Sequence, residues 1–176
     1  AYISEILESR KLDLNDEDVF DGYLPVQLAV MRNNLKLVEL FISYGSDINK
    51  KDKKVQKTCV HYVLNPEMLN FLISNGLNLN AQDHMGYTGL HRVSIDVFLP
   101  VMEVFIKSGA DIEIKNDYGQ TPIFMSVQGK NYNAFMLLVK SGAKLDVYTD
   151  RNANILHYYA SAPEDKRIFS EIMKRN

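Results

Sequence analysis

Only one cysteine, Cys59, stands in this 176-residue chain, so no internal disulfide framework braces it and a reducing compartment suits it. No apolar run reaches the ~18–20 residues that would cross a bilayer. No basic stretch leading into a short apolar segment marks a secretory signal. Excess charge is missing too. The formal net charge of −2 gives no overall field toward nucleic acid or an anionic membrane. GxGxxG, Walker and nucleophile-elbow patterns are absent, and with them the usual signs of phosphate binding and acyl transfer. These gaps favour a cytoplasmic, non-catalytic protein without cofactor or metal, whose partner is neither nucleic acid nor membrane.

What the chain does have is a period. Gly45, Gly76, Gly109 and Gly142 follow one another at spacings of 31, 33 and 33. They close the apolar runs LVELFISYG, MLNFLISNG, VMEVFIKSG and AFMLLVKSG. Gly86 and Gly119 form a second ladder 33 apart, continued by Asn152. A repeat of this length means stacked units, each too small to bury its own apolar face. Thr88 and Thr121 stand where a hydroxyl can cap a helix start, and Pro122 follows at the first helical position, where no amide donor is needed. In VMEVFI only Glu103 is polar, a wider stripe than a lone amphipathic helix hides. The terminal glycines end these helices in the left-handed conformation. One unit therefore reads helix, short turn, helix, hairpin-like loop.

Aligned on Gly22, Gly86, Gly119 and Asn152, the units show Thr88-Gly89-Leu90-His91, Thr121-Pro122-Ile123-Phe124 and Asn154-Ile155-Leu156-His157 in the same columns. This pattern, with its terminal Gly-Ala-Asp-Ile, resembles the ankyrin repeat over nearly the whole chain. The resemblance implies an all-α solenoid of paired antiparallel helices with β-hairpin-like loops. A half repeat at 1–18 precedes repeats at 19–51, 52–82, 83–115, 116–148 and 149–176. Three departures stand out. Unit two lacks the hairpin glycine and loses three residues between its helices, so Pro66 is expected to start a shortened second helix. Unit five lacks the terminal Gly-Ala and reads as a cap with a polar outer face of Glu164, Asp165, Lys166, Arg167, Glu171, Lys174 and Arg175. The half repeat carries Lys11 in the glycine column, and the chain enters mid-repeat at Ala1, as an excerpt of a longer protein would.

Catalytic and metal chemistry find little footing. His61, His91 and His157 share one column. The resemblance implies a structural role there, with the ring bonding near the preceding Thr58 or Thr88 and tying adjacent units together. Repeat columns lie in a row, whereas metal ligands must converge on a point. His84 is a loop residue with no Cys or carboxylate at ligand spacing. Cys59 fills an inward column as a small hydrophobe, and paired acids such as Asp16 with Asp18 read as solvated charge.

Two loops of opposite charge sit on adjacent fingers, before and after unit one. Lys50, Lys51, Lys53, Lys54 and Lys57 crowd one, and Asp16, Glu17 and Asp18 the other. They form solvated tips or a charge clamp for a bipolar partner. The resemblance places partner binding on the loop tips and on the exposed side of the first helices, a concave groove. The tip candidates are His84, Met85, Tyr87, Asp117, Tyr118, Gln120, Asp150 and Arg151. The groove-face candidates are Met31, Arg32, Arg92, Ile95, Asp96, Met125, Gln128, Tyr132 and Tyr158. Their aromatic and Met content fits an interface centre. The expected function is a monomeric protein-binding module, of the kind that captures host factors for a pathogen or virus or covers a toxin. The alternative is the recruiting part of a larger enzyme or adaptor. A lysine excess over arginine, 14 to 6, suits an AT-rich genome.

Overall fold

In the computed structural model, which describes residues 13–16, 22–96, 98–160 and 166–175, each apolar run is the second member of a helix pair. The pairs are α1 (Pro25–Met31) with α2 (Leu35–Ser43), a three-residue 3-10 turn (Cys59–His61) with α3 (Pro66–Ser74), and α4 (Gly89–Ile95) with α5 (Leu99–Lys107). Then come α6 (Pro122–Gln128) with α7 (Tyr132–Lys140), and α8 (Ile155–Ala160) with α9 (Lys166–Arg175). First helices stack on first helices and second on second, which makes two parallel rows. The chain is all-α among the described residues, with one isolated bridge between Tyr148 and Asn154.

Local chemistry sets these boundaries. Asn34, Asn65 and Asn131 cap α2, α3 and α7, their side chains accepting from the amides of Leu37, Met68 and Ala134 at 3.0–3.1 Å. Gly142, at φ +94°, ends α7 in a conformation an L side chain resists. Each loop tip closes with one short backbone bond: Asp52 to Lys57, Asp83 to Tyr87, Asn116 to Gln120 and Thr149 to Ala153, all 2.9 Å. The tip-glycine column is filled by Gln56 and Asn152 in units two and five, at φ +55° and +57°.

The core is the seam between pairs. Phe105, Phe124 and Phe135 are fully buried there with Leu72, Leu90 and Leu138. Such side chains each contribute about 1.5–3 kcal/mol on burial, and only neighbouring units bury them. Polar ties run alongside. The side-chain oxygens of Asn15, Asn49, Asn80 and Glu113 accept from the amides of Asp47, Asn78, Asp111 and Lys144, each one unit on, at 2.8–2.9 Å. On the tip side, His61 Nε2 donates to the Tyr87 carbonyl and His91 Nε2 to the Gln120 carbonyl, both at 3.0 Å. Gln27 does the same in unit one, its Nε2 donating to the Lys57 carbonyl at 2.8 Å.

Four expectations need correction. Unit two's second helix, α3, is a full nine residues; the missing residues come from the first helix, reduced to the 3-10 turn. Thr121 makes no side-chain cap, and its hydroxyl is buried without a partner because Phe124 stands where His91 receives Thr88. His157 bonds Asn154 but is exposed, so it ties no further unit among the described residues. The outward face of α9 is not wholly polar: Phe169 and Met173 are 44% and 55% exposed, while Ile168 and Ile172 pack inward. Lys11, Glu164 and Asp165 lie outside the described residues.

Candidate functional site

Consecutive tips are bonded into a strip. The amide of His84 donates to the Val55 carbonyl at 3.1 Å, Asp117 to Met85 at 3.0 Å and Asp150 to Tyr118 at 3.2 Å. His84 adds its ring Nδ1–H to the same Val55 carbonyl at 2.9 Å and otherwise faces solvent. Side chains on this strip are therefore held at fixed spacing. Tyr87 lies 6.4 Å from Tyr118 between ring centroids and meets the His91 ring edge-on at 5.6 Å. Tyr118 is 43% exposed, and Met85 and Tyr87 are half-buried. Behind them Tyr158 packs edge-on against Phe124 at 5.1 Å. Gln120, expected as a free contact, is buried: its Nε2 donates to the Tyr158 hydroxyl at 2.6 Å and floors the gap between the last two tips. Asp117, Asp150 and Arg151 stand exposed around that gap.

Along the first-helix row, Met31, Arg32, Ile95, Asp96 and Gln128 are exposed. Arg92 is half-buried and its guanidinium donates to the His61 carbonyl, tying units two and three. Two candidates fall away. Met125 is 1% exposed: an unbranched, pliable side chain folds into the gap between units where Arg92 has to reach a carbonyl. Tyr132 opens α7 and so belongs to the second row, where the Arg167 guanidinium sits 4.4 Å from its ring centroid.

At the lysine loop, Lys51, Lys53 and Lys54 are exposed. Lys50 Nζ donates to the Asn15 carbonyl at 2.6 Å, and the Lys57 ammonium lies 5.8 Å from the Tyr62 ring. Of the acidic half, Asp16 is half-buried, and Glu17 and Asp18 lie outside the described residues. The residue that shapes this loop is Asp52, fully buried, which accepts from the amides of Val55 and Lys57 and from the Tyr62 hydroxyl. Its place in the column of Asp83, Asn116 and Thr149 was the signal that marks it. Burial and the Asp52 charge raise the Tyr62 phenol above its ordinary range.

The buried imidazoles and the buried thiol are kept neutral. Burial pushes the His91 imidazole down to about 4 and lowers His61, and both rings donate from Nε2 to carbonyls. Burial first, then the Asp47 charge, pushes the Cys59 thiol up to about 12, so at neutral pH it carries no thiolate. Among the described residues no three His, Cys, Asp or Glu side chains converge as metal ligands would. No helix there is long and apolar enough to cross a membrane.

Known proteins share this pattern. A family described as ankyrin repeats, three copies, matches residues 3–83. An ankyrin repeat protein of Rickettsia felis is 32% identical over 188 residues, covering 96% of this chain and 82% of the relative. A fowlpox virus ankyrin repeat protein is 27% identical over 152 residues, or 81% of this chain and 45% of the relative. Human B-cell lymphoma 3 protein is 32% identical over 118 residues, with 26% of its length spanned. The chain thus spans under half of the viral relative and about a quarter of the human one. With the 33-residue period, the two rows of short helices and the ring-to-carbonyl ties between units, these matches place the chain in the ankyrin repeat family.

Proposed function

We propose that this chain is a non-catalytic protein-binding module, monomeric and cytoplasmic, that grips its partner across the tips and first-helix row of units two to five. The observation that carries this reading is the bonded strip bearing Tyr87 and Tyr118. Phe105, Phe124 and Phe135 are buried in the seam, while Tyr118 is exposed and Tyr87 half-buried on tips whose backbones are bonded to one another. Aromatic anchors that lose little entropy on docking are what an interface centre needs. Ile95 extends the same apolar character along the helix row, with Asp96 and Gln128 as a polar rim, and Met31 and Arg32 continue the row onto unit one.

The role in view is capture of a partner protein by a pathogen or viral product, a reading supported by the fowlpox and Rickettsia relatives. The same groove would serve to cover a toxin. A recruiting role within a larger protein is favoured by one fact, that the chain spans 45% of the viral relative. The test is affinity capture with the wild-type chain and with Tyr87→Ala/Tyr118→Ala. The double variant should retain the wild-type helical circular dichroism and melting temperature and lose at least ~tenfold in affinity for what the wild type retains. Undiminished capture by a folded variant would refute the site.

A further inference from the structure

Loop carboxylates in this chain differ in how far their hydrogen bonds are already spent. Asp47, Asp83 and Asp111 are consumed locally, each accepting from the amide two residues on at 2.8–2.9 Å. The carboxylates of Asp117 and Asp150 have no hydrogen-bond or ion-pair partner among the described residues. Their positions are nevertheless fixed. Each lies over the glycine of the preceding tip, an oxygen 2.7 Å or 2.6 Å from where a Cβ would stand on Gly86 or Gly119. Both residues line a cavity of about 360 Å³, together with Tyr118, Tyr158 and Gln120. Arg151 stands at its lip and forms no ion pair with either carboxylate.

We infer that this cavity, lined by Asp117, Asp150, Tyr118 and Tyr158, seats a lysine or arginine side chain of the partner protein. The inference rests on the protein-binding reading above and adds the chemistry of the occupant. An apolar or acidic side chain there would strip water from two unspent carboxylates and return nothing. A cation returns charge-assisted hydrogen bonds and the attraction of two aromatic faces. The volume accommodates a guanidinium with its stem. The preference is local, because the chain as a whole carries 22 acidic and 20 basic residues. Arg151 gives the site a directional signature: it opposes a cationic occupant and would assist an anionic one.

The test is selection of random twelve-residue peptides displayed on phage against the full chain. A fluorescent copy of the best peptide is then titrated with folded variants checked by circular dichroism. Enriched peptides should share a Lys or Arg whose replacement by Met weakens binding ~tenfold or more. Asp117→Asn/Asp150→Asn should weaken it similarly and flatten its salt dependence, while Arg151→Ala should strengthen it. Enriched peptides with no required basic residue, equal binding to the double Asn variant, or weakening by Arg151→Ala each overturn the inference. If such peptides still depend on Tyr87 and Tyr118, the cation seat is lost and the protein-binding reading survives. A library that yields no binder counts against both.

Discussion

His91 holds two units at once. Its Nδ1 faces Thr88, whose hydroxyl lies 2.8 Å away, and its Nε2 reaches the Gln120 carbonyl of the next tip. Protonating the ring would put a charge where burial resists it, which is why it titrates at about 4. Above pH 6.5 the ring is neutral in both folded and unfolded chains, and its contribution is whole. Between 6.5 and about 4 the unfolded chain takes up the proton first, and the folded state loses up to about 3 kcal/mol from this one group. Urea midpoints should therefore fall as pH drops through that window, and His91→Gln should flatten the fall while keeping the bridge that Gln27 already makes in unit one. A slope unchanged by His91→Gln would show that the loss arises elsewhere. The histidine column was legible because its spacing matched the period. Gln27 in the same column was not, because an amide carries no distinctive chemistry in a sequence. Met125 misled for the opposite reason: its column is surface for an arginine and interior for a pliable thioether.

At the scale of the element, the short 3-10 turn of unit two has a consequence for α4. Cys59–His61 leaves the Val60 carbonyl close to the start of the next first helix, and a Cβ on Gly89 would lie 2.5 Å from that oxygen and 2.8 Å from Phe105 Cζ. The corresponding column holds Pro25, Pro122 and Ile155 in other units, so the glycine answers the neighbour and not the helix. Gly89→Ala should cost about 1–3 kcal/mol in chemical denaturation through backbone displacement, with the tip aromatics and their binding little changed. A neutral or stabilising outcome would mean the two units separate freely there. The sequence told how many residues unit two had lost but not which helix lost them. Asn65-Pro66 held the answer, since an N-cap followed by proline fixes the start of α3 and leaves nine residues before its C-cap, Asn75.

For the whole molecule, a stack in which each pair touches only its neighbours unfolds from its weakest joint. Ile168 and Ile172 are the buried residues through which α9 holds the last unit. Ile172→Asp should remove hydrogen-exchange protection from α8 and α9 first, while α4 to α7 keep theirs. Uniform loss along the chain would mean a single cooperative unit. Binding should weaken in that variant as well, because Tyr158 is carried by α8. The architecture was readable because a period constrains every unit in the same way. The binding strip was only partly readable, because tip side chains answer to a partner that the stacking rules do not describe.

The substitution of Phe124 into the histidine column also bears on how the two ends of the grip are held. From units two and three a ring nitrogen pins the first helix to the following tip, and from unit one the Gln27 amide does so. Phe124 of unit four offers only an edge-on ring to Tyr158, 5.1 Å between centroids, and the hydrogen bond at that place runs from Gln120 to the Tyr158 hydroxyl at 2.6 Å. An edge-on ring contact slides at little cost, whereas a 3.0 Å hydrogen bond resists displacement. The gap between Tyr118 and Tyr158 is thus latched from the tip side by Gln120, and its jaws hold a set width for as long as that one amide keeps its grip on the Tyr158 hydroxyl.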